Sequence, residues 1–298
     1  MGEGIDRQAG EGGAMASGQL DARAEKGEMP VPQRLNARGR GGDAPASRRS
    51  SVHGRKEEAP APRRFNVHGH KGEEPAPRRF SAHGSRSGKP APEQLKARSK
   101  AAFDEQAPIY DEGMQGDHAR ALYPCIFEEA RRAMEGIPVP SVLDVGCGTG
   151  MLSERLLGAF PSCRLAGVDL SPAMVERARA RLAGRAEVRE ADAERLPFHD
   201  GAFDLVVCND SFHHYPDPDR AAFQMWRVLR KGGALVLGDV WQPAPARAVM
   251  NAWMPFSHEG DVRIYSKAEL RAILGTWFQR VRWSRIGLTG CLVVASKG

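Results

Sequence analysis

The segment SVLDVGCGTGML, residues 141–152, joins a short apolar run to three alternate glycines and then to the start of a helical pattern. The apolar run predicts a buried strand. Gly146, Gly148 and Gly150 predict a loop whose backbone a ligand can approach closely, because glycine has no Cβ. This segment therefore predicts a strand, a ligand-binding loop and a helix in succession.

Two residues of the segment separate it from the dinucleotide-binding fingerprint. Met151 stands where that fingerprint has its third glycine, and Asp144 lies inside the strand. A carboxylate at Asp144 is poorly suited to a pyrophosphate, whereas it suits a ligand that carries an ammonium or sulfonium group.

Apolar strands and amphipathic helices alternate from Ala101 onward. Further strands are predicted over 164–170, 186–193, 203–210 and 234–241. Helices are predicted over 118–134, from about 149, after the Ser171-Pro172 cap, and over 217–233 with a Gly-Gly stop. This alternation predicts a largely parallel sheet covered by helices on both faces.

Polar residues gather where the predicted strands end. Asp144, Asp169, Asp192, Asn209 and Asp239 occur at or near the carboxyl ends of five successive strands. Ligands bind at this edge of parallel sheets, and Asp169 follows the glycine loop by 19 residues, a spacing that suits a ribose.

Four motifs carry a family resemblance: VLDVGCGTG, GVDLSPAMVERAR, ADAERLPFHDGAFDLVVCNDSFHH and RVLRKGGALVLGD. They resemble the successive motifs of class I S-adenosylmethionine-dependent methyltransferases, particularly the methyltransferase type 11 group that includes ubiquinone and menaquinone C-methyltransferases. The likeness extends from about Phe103 to Gly298. It implies a Rossmann-like, doubly wound, mostly parallel seven-stranded sheet with helices on both faces, in a domain over 101–298.

The resemblance also implies which residues bind S-adenosyl-L-methionine. It places Asp144 near the amino group of the cofactor, Asp169 at the ribose and Asp192 at the adenine amino group. Each acid could instead cap a helix or close a loop by a hydrogen bond. The cofactor-binding set that it implies is Tyr110, Asp144, Gly146, Gly148, Gly150, Asp169, Leu170, Asp192, Ala193 and Asn209.

Methyl transfer needs no obligatory catalytic side chain, because a sulfonium methyl is already activated. His213 and His214 are candidate bases if the acceptor must lose a proton, and the alternative is that they pack a structural turn. The segment 241–266 could cover an apolar acceptor or could pack in the core; its candidate residues are Trp241, Met250, Trp253, Met254, Phe256, His258 and Tyr265.

The first 100 residues differ in composition from the rest. They hold 20 Lys and Arg against 12 Asp and Glu, whereas the other 198 residues hold 23 against 25. This stretch is rich in Gly, Pro, Ala and Arg, and a 15-residue frame repeats in it, as in EAPAPRRFNVHGHKG from Glu58 and EEPAPRRFSAHGSRS from Glu73. Its scarcity of large apolar residues predicts a disordered basic tail over 1–100. Nucleic-acid binding is the less favoured interpretation of the tail, because glutamates are interspersed and aromatics are few.

The sequence contains no pattern typical of secretion, membrane insertion or metal binding. No signal peptide and no membrane span are expected, since no sufficiently long apolar run occurs. The five cysteines form no C-x-x-C pair and have no histidine at ligand spacing, so neither a metal site nor a disulfide framework is expected. A cytoplasmic protein fits these features.

The function predicted from the sequence is transfer of a methyl group from S-adenosyl-L-methionine to a small-molecule acceptor. Three alternatives remain at this point: an RNA or protein methyltransferase that uses the basic tail, an NAD-dependent oxidoreductase, and a non-catalytic protein that binds the cofactor.

Overall fold

The computed structural model describes Phe65 and residues 90–298, so most of the predicted tail lies outside the described residues. The strands are β1 (Ser141–Val145), β2 (Arg164–Asp169), β3 (Glu187–Glu190), β4 (Phe203–Asn209), β5 (Leu229–Val240), β6 (Arg280–Ile286) and β7 (Gly290–Ser296). The helices are α1 (Pro92–Gln106), α2 (Asp117–Met134), α3 (Met151–Ala159), α4 (Pro172–Leu182), α5 (Pro218–Val228), α6 (Ala244–Trp253) and α7 (Lys267–Gly275).

The strands form one sheet in the order β3-β2-β1-β4-β5-β7-β6. β1 to β5 pair in parallel, and β7 pairs antiparallel with both β5 and β6. Apolar side chains bury both faces of the sheet in two clusters. The prediction of a mostly parallel, doubly wound, seven-stranded sheet is confirmed. The strand order reverses between β1 and β4, where such sheets open a crevice for ligands.

The cap predicted for the helix after β2 is present. The Ser171 side chain accepts a hydrogen bond from the backbone N–H of Met174, and Pro172 begins α4. Serine satisfies an otherwise unpaired amide, and proline has no amide to leave unpaired. Helix α4 therefore starts immediately beyond the carboxyl end of β2.

The predicted Gly-Gly helix stop is wrong. α5 ends at Val228 and β5 already begins at Leu229, so Gly232 and Gly233 lie within the strand. Gly232 takes a left-handed φ of 75° and donates its N–H to the carbonyl of Lys297 at 2.9 Å. A Cβ on Gly233 would lie 3.0 Å from two backbone oxygens. The glycines thus allow an irregular strand start that pairs with the end of β7.

Helix α1 crosses the boundary predicted between residues 100 and 101. It begins at Pro92, a favourable first helical residue, and packs against α4. Asp104 of α1 accepts hydrogen bonds from the Ser171 hydroxyl at 2.6 Å and from the Ala173 amide at 3.2 Å. The end of the predicted tail is therefore part of the helical layer. Within the described residues, no helix is both long enough and apolar enough to cross a membrane.

Candidate active site

A cleft opens at the carboxyl ends of β1, β2, β3 and β4. It has a larger compartment of about 740 Å³ and a smaller one of about 320 Å³, both including space open to solvent, and the two share the lining residues Tyr110, Gly146, Gly148 and Asn209. Nine of the ten predicted cofactor residues line it: Tyr110, Asp144, Gly146, Gly148, Asp169, Leu170, Asp192, Ala193 and Asn209. Gly150 lines neither compartment.

The three loop glycines have different surroundings, although all three have a positive φ. A Cβ on Gly146 would lie 2.2 Å from the Ser211 hydroxyl oxygen, and one on Gly150 would lie 3.1 Å from the Cβ of Ala178. A Cβ on Gly148 would meet nothing within 4 Å. Gly146 and Gly150 are therefore required by packing, whereas Gly148 leaves open the space that faces the cleft.

Gly148→Ala should reduce by at least tenfold the affinity for S-adenosylhomocysteine, the demethylated form of the cofactor that the sequence resemblance implies, because the new methyl group would enter the space left for a ligand. Gly184→Ala is the matched control: Gly184 also has a positive φ (77°) and free space around its Cβ, but it does not line the cleft. Both variants should lose a similar amount of stability, about 1 kcal/mol, from backbone strain. Equal affinity in the two variants by calorimetry would contradict this assignment.

Asp144 is a buried carboxyl group in the wall of the smaller compartment. Its side chain is 1% exposed and accepts a hydrogen bond from the Ser153 hydroxyl at 2.6 Å. Burial, with a further contribution from the charge of Asp169, raises the pKa of Asp144 to about 7, although the Ser153 hydrogen bond opposes this. A cationic ligand group would stabilise its ionised form.

Asp169 links the glycine loop to the start of α4. One carboxylate oxygen accepts the Gly148 amide at 2.8 Å and the other accepts the Ser171 amide at 2.9 Å. Each carboxylate oxygen retains a second lone pair for a ligand. Asp169 thus combines a structural role with exposure to the cleft.

Asp192 has a partner that sequence reasoning missed. The Lys96 ammonium donates to Asp192 at 2.7 Å and to Glu194 at 2.5 Å. Burial alone would lower the pKa of Lys96, but these two hydrogen bonds raise it above its usual value. Lys96 is on α1 and lines the cleft with Ser99 and Phe103. Lys96 lies in residues 88–102, the 15-residue frame after the two repeats, which keeps PAP but has EQL in place of RRF. No motif marks Lys96.

The loop after β4 places two adjacent polar residues in the cleft. Asn209 donates its side-chain N–H to the Ala119 carbonyl at 3.2 Å, while its buried side-chain oxygen has no hydrogen-bond partner among the described residues. Asp210, at φ 52°, contacts the His118 Nδ1 atom at 2.7 Å. The His118 Nε2 atom lies 3.2 Å from the Thr289 carbonyl. The hydrogen bond to Asp210 raises the pKa of His118, consistent with an imidazolium that donates to both acceptors.

The two predicted histidines have different environments. His214 lines the cleft, with its ring edge-on to Phe103 at 5.1 Å, whereas His213 lies behind it and pairs with Asp239 at 2.5 Å. Burial alone would lower the pKa of His213, but the carboxylates of Asp239, Asp210 and Asp261 raise it to about 10. Burial and the adjacent His213 charge lower the pKa of His214. His213 is thus cationic and His214 neutral near pH 7.

Ligand atoms of two residue sets come within 4.8 Å of one another and could hold a metal: His213, His214 and Asp261, and Asp210, His213 and Asp239. His213 belongs to both sets and already balances the charge of Asp239. A metal ion would have to displace the proton that His213 holds.

The segment after β5 divides between core and surface. Trp241 packs on the core, and Met254 and Tyr265 are buried. Met250, Trp253 and Phe256 are 41%, 71% and 75% exposed, and His258 is exposed as well. None of the seven candidate residues of this segment lines the cleft.

Comparison with known proteins identifies the fold. The family model described as a methyltransferase domain matches residues 143–237. A methyltransferase domain is therefore recognised over residues 143–237. This domain is 38% identical over 144 residues to malonyl-[acyl-carrier protein] O-methyltransferase of Hahella chejuensis, covering 47% of this chain and 49% of that protein. It is 41% identical over 119 residues to demethylmenaquinone methyltransferase of Thermus thermophilus, covering 39% and 53%.

The methyltransferase domain also resembles solved structures at low sequence identity. The [4+2]-cyclase SpnF superposes with a TM-score of 0.55 at 18% identity, over 70% of this chain and 97% of that one. This likeness concerns the fold alone. The chain spans about half the length of the curated relatives that it matches.

Proposed function

We propose that this chain is an S-adenosyl-L-methionine-dependent methyltransferase that acts on a small-molecule acceptor. The observation that carries the proposal is the buried Asp144 carboxyl, which has no cationic partner among the described residues and lies beside the glycine loop. The names of the relatives support a small acceptor, since they include O-methyltransferases and demethylmenaquinone methyltransferases.

The residues of the cleft fit this cofactor. Asp144 offers a carboxylate to an ammonium group, and Asp169 offers free lone pairs to ribose hydroxyls. Leu170 and Ala193 would flank the adenine, with Asp192 as the acceptor for its amino group. Lys96 already occupies one Asp192 oxygen, so the adenine amino group would share this carboxylate with the ammonium. The unpartnered oxygen of Asn209 is available to polarised C–H groups near a sulfonium.

When bound, the cofactor supplies an electrophilic methyl group, and the protein must orient the acceptor and exclude water. Orientation of this kind can contribute as much as about 7–11 kcal/mol. Phe103, Tyr110 and His214 line the cleft and would restrict where an acceptor can lie. Because His213 is protonated and the pKa of His214 is low, we infer an acceptor that needs little help to lose a proton.

His214→Gln should lower kcat for the methyl acceptor by less than tenfold at pH 7.5. Loss of a true general base would lower kcat by about 10²–10⁴-fold. Steady-state rates between pH 6 and 9 distinguish the two, since loss of a base also removes a limb from the pH profile. His199→Gln, which changes a histidine outside the cleft, controls for nonspecific effects.

Two measurements test the proposed function. Calorimetry should show S-adenosylhomocysteine binding and no comparable NAD binding, whereas the reverse would favour the oxidoreductase. A screen with methyl-labelled cofactor against carboxylates, hydroquinones and amines should then find label in the product. A product without label would overturn methyl transfer, a necessary check because the same fold includes a cyclase.

The RNA or protein methyltransferase alternative can be tested by removing residues 1–56. This deletion spares α1, which contributes Lys96 to the cleft, so cofactor binding should persist. Residues 101–298 hold 23 Lys and Arg against 25 Asp and Glu, which is no electrostatic match for a polyanion. We expect turnover of the small acceptor to survive the deletion.

A further inference from the structure

One residue of the repeated N-terminal sequence packs against the methyltransferase domain. Phe65 is 6% exposed, and its ring centroid lies 4.8 Å from that of Phe203 and 6.2 Å from that of Phe198. Phe198 and Phe203 contact each other edge-to-face at 5.0 Å. Three phenylalanines therefore form one apolar cluster, in which Phe65 is the only member from the repeated sequence.

Phe65 also contacts charged side chains. The Arg164 guanidinium lies 4.7 Å from the centre of the Phe65 ring, a favourable cation–π distance. The Phe65 backbone N–H donates to a Glu187 carboxylate oxygen at 2.9 Å. Arg189 pairs with Glu187 and also lies over the Phe198 ring. A ring and a backbone amide are thus recognised together, which is more specific than apolar burial alone.

These contacts lie at the edge of the sheet opposite the cleft. Arg164, Glu187 and Phe203 are the first residues of β2, β3 and β4, whereas the cleft is at the carboxyl ends of these strands. We call Arg164, Glu187, Phe198 and Phe203 the aromatic socket. None of its members lines the cleft, so the aromatic socket is separate from the proposed active site.

The motif that ends at Phe65 occurs a second time in the sequence. Phe65 ends the motif PAPRRF, and Phe80 ends an identical motif 15 residues later. In the next copy of the frame the equivalent residue is Leu95, which is half-buried in α1. The frame position occupied by Phe65 is therefore at least partly buried in both copies where the structure describes it.

We propose that the aromatic socket is a docking site for the chain's own PAPRRF segment, with Phe65 as the anchor. Docking ties the repeats to the domain at the edge away from the cleft. The proposal does not depend on the activity of the cleft.

Limited trypsin digestion of the full chain tests the docking. The Arg-Arg pairs before Phe65 and before Phe80 have identical flanking residues on their amino side, so the second pair is an internal reference. A docked segment must detach before trypsin can cleave it. Mass spectrometry should therefore show cleavage at Arg63 and Arg64 at least tenfold slower than at Arg78 and Arg79. A difference of less than threefold would overturn the proposal.

Two further variants show whether the ring and the socket cause this protection. In the double variant Phe65→Ala and Phe80→Ala, the two sites again match and should be cut at equal rates. Arg164→Gln should reduce the protection several-fold, whereas Arg195→Gln, at another exposed arginine, should leave it unchanged. Protection that persists in the double variant would come from another part of the chain and would overturn the role of Phe65.

Discussion

Asp169→Ala should weaken S-adenosylhomocysteine binding by about tenfold to a hundredfold, which corresponds to roughly 1.5–3 kcal/mol. The carboxylate would lose its proposed contact with the ribose. It would also release the amides of Gly148 and Ser171, which it holds at 2.8 and 2.9 Å. Because Gly148 faces the cleft, loss of this contact disturbs the loop that the ligand must meet.

The ligand contact and the loop support can be measured separately. Asp169→Asn keeps one acceptor oxygen, so it should lose less stability than Asp169→Ala in thermal unfolding without ligand. Both variants should bind more weakly in calorimetry. Glu176→Gln, at an exposed position of the neighbouring helix α4, should change neither measurement. Unchanged affinity in Asp169→Ala would remove this residue from the proposed cofactor site.

The sheet could be predicted because its signals are local. The apolar runs, the Ser171-Pro172 cap and the glycine loop each specify conformation within a few residues, and the structure contains all three. The acids were predictable for a topological reason, since carboxyl ends of parallel strands must meet at one edge. The motif alone did not predict the role of Gly150. This residue packs closely against Ala178 of helix α4 and does not line the cleft.

Features that depend on distant residues could not be predicted. Gly232 and Gly233 suggested a helix stop, but pairing with residues near the end of the chain makes them part of β5. Lys96 and Phe65 stand in a low-complexity repeat that predicts no contact, yet Lys96 reaches Asp192 and Phe65 reaches Glu187. Long-range partners of this kind override local propensity and leave no periodic signal in the sequence.

Asp144 should make cofactor binding depend on pH. Burial raises its pKa to about 7, so the unliganded carboxyl still holds its proton at pH 6. An ammonium group bound beside it would favour the ionised form, and binding would therefore release a proton. Affinity for S-adenosylhomocysteine should fall about fivefold from pH 7 to pH 6, and calorimetry in buffers of different ionisation enthalpy should detect the released proton.

The raised pKa of Asp144 also makes the free energy of unfolding fall as pH rises, whereas a salt-bridged acid makes it rise. Between its unfolded pKa, about 4, and its folded pKa, the unfolded chain loses the proton while the folded chain keeps it, so stability falls as pH rises through this window. Asp144→Asn removes this titration. The variant should therefore gain stability relative to the parent protein from pH 4 to pH 8, while its ligand affinity becomes weak and independent of pH.

Ser153→Ala keeps the carboxyl but removes the hydrogen bond that favours its ionised form. The pH dependence of ligand affinity and that of the free energy of unfolding should therefore both shift to higher pH. Affinity of the parent protein that stays constant from pH 5.5 to pH 7.5 would contradict an ammonium partner for Asp144, because no proton would then leave this carboxyl on binding.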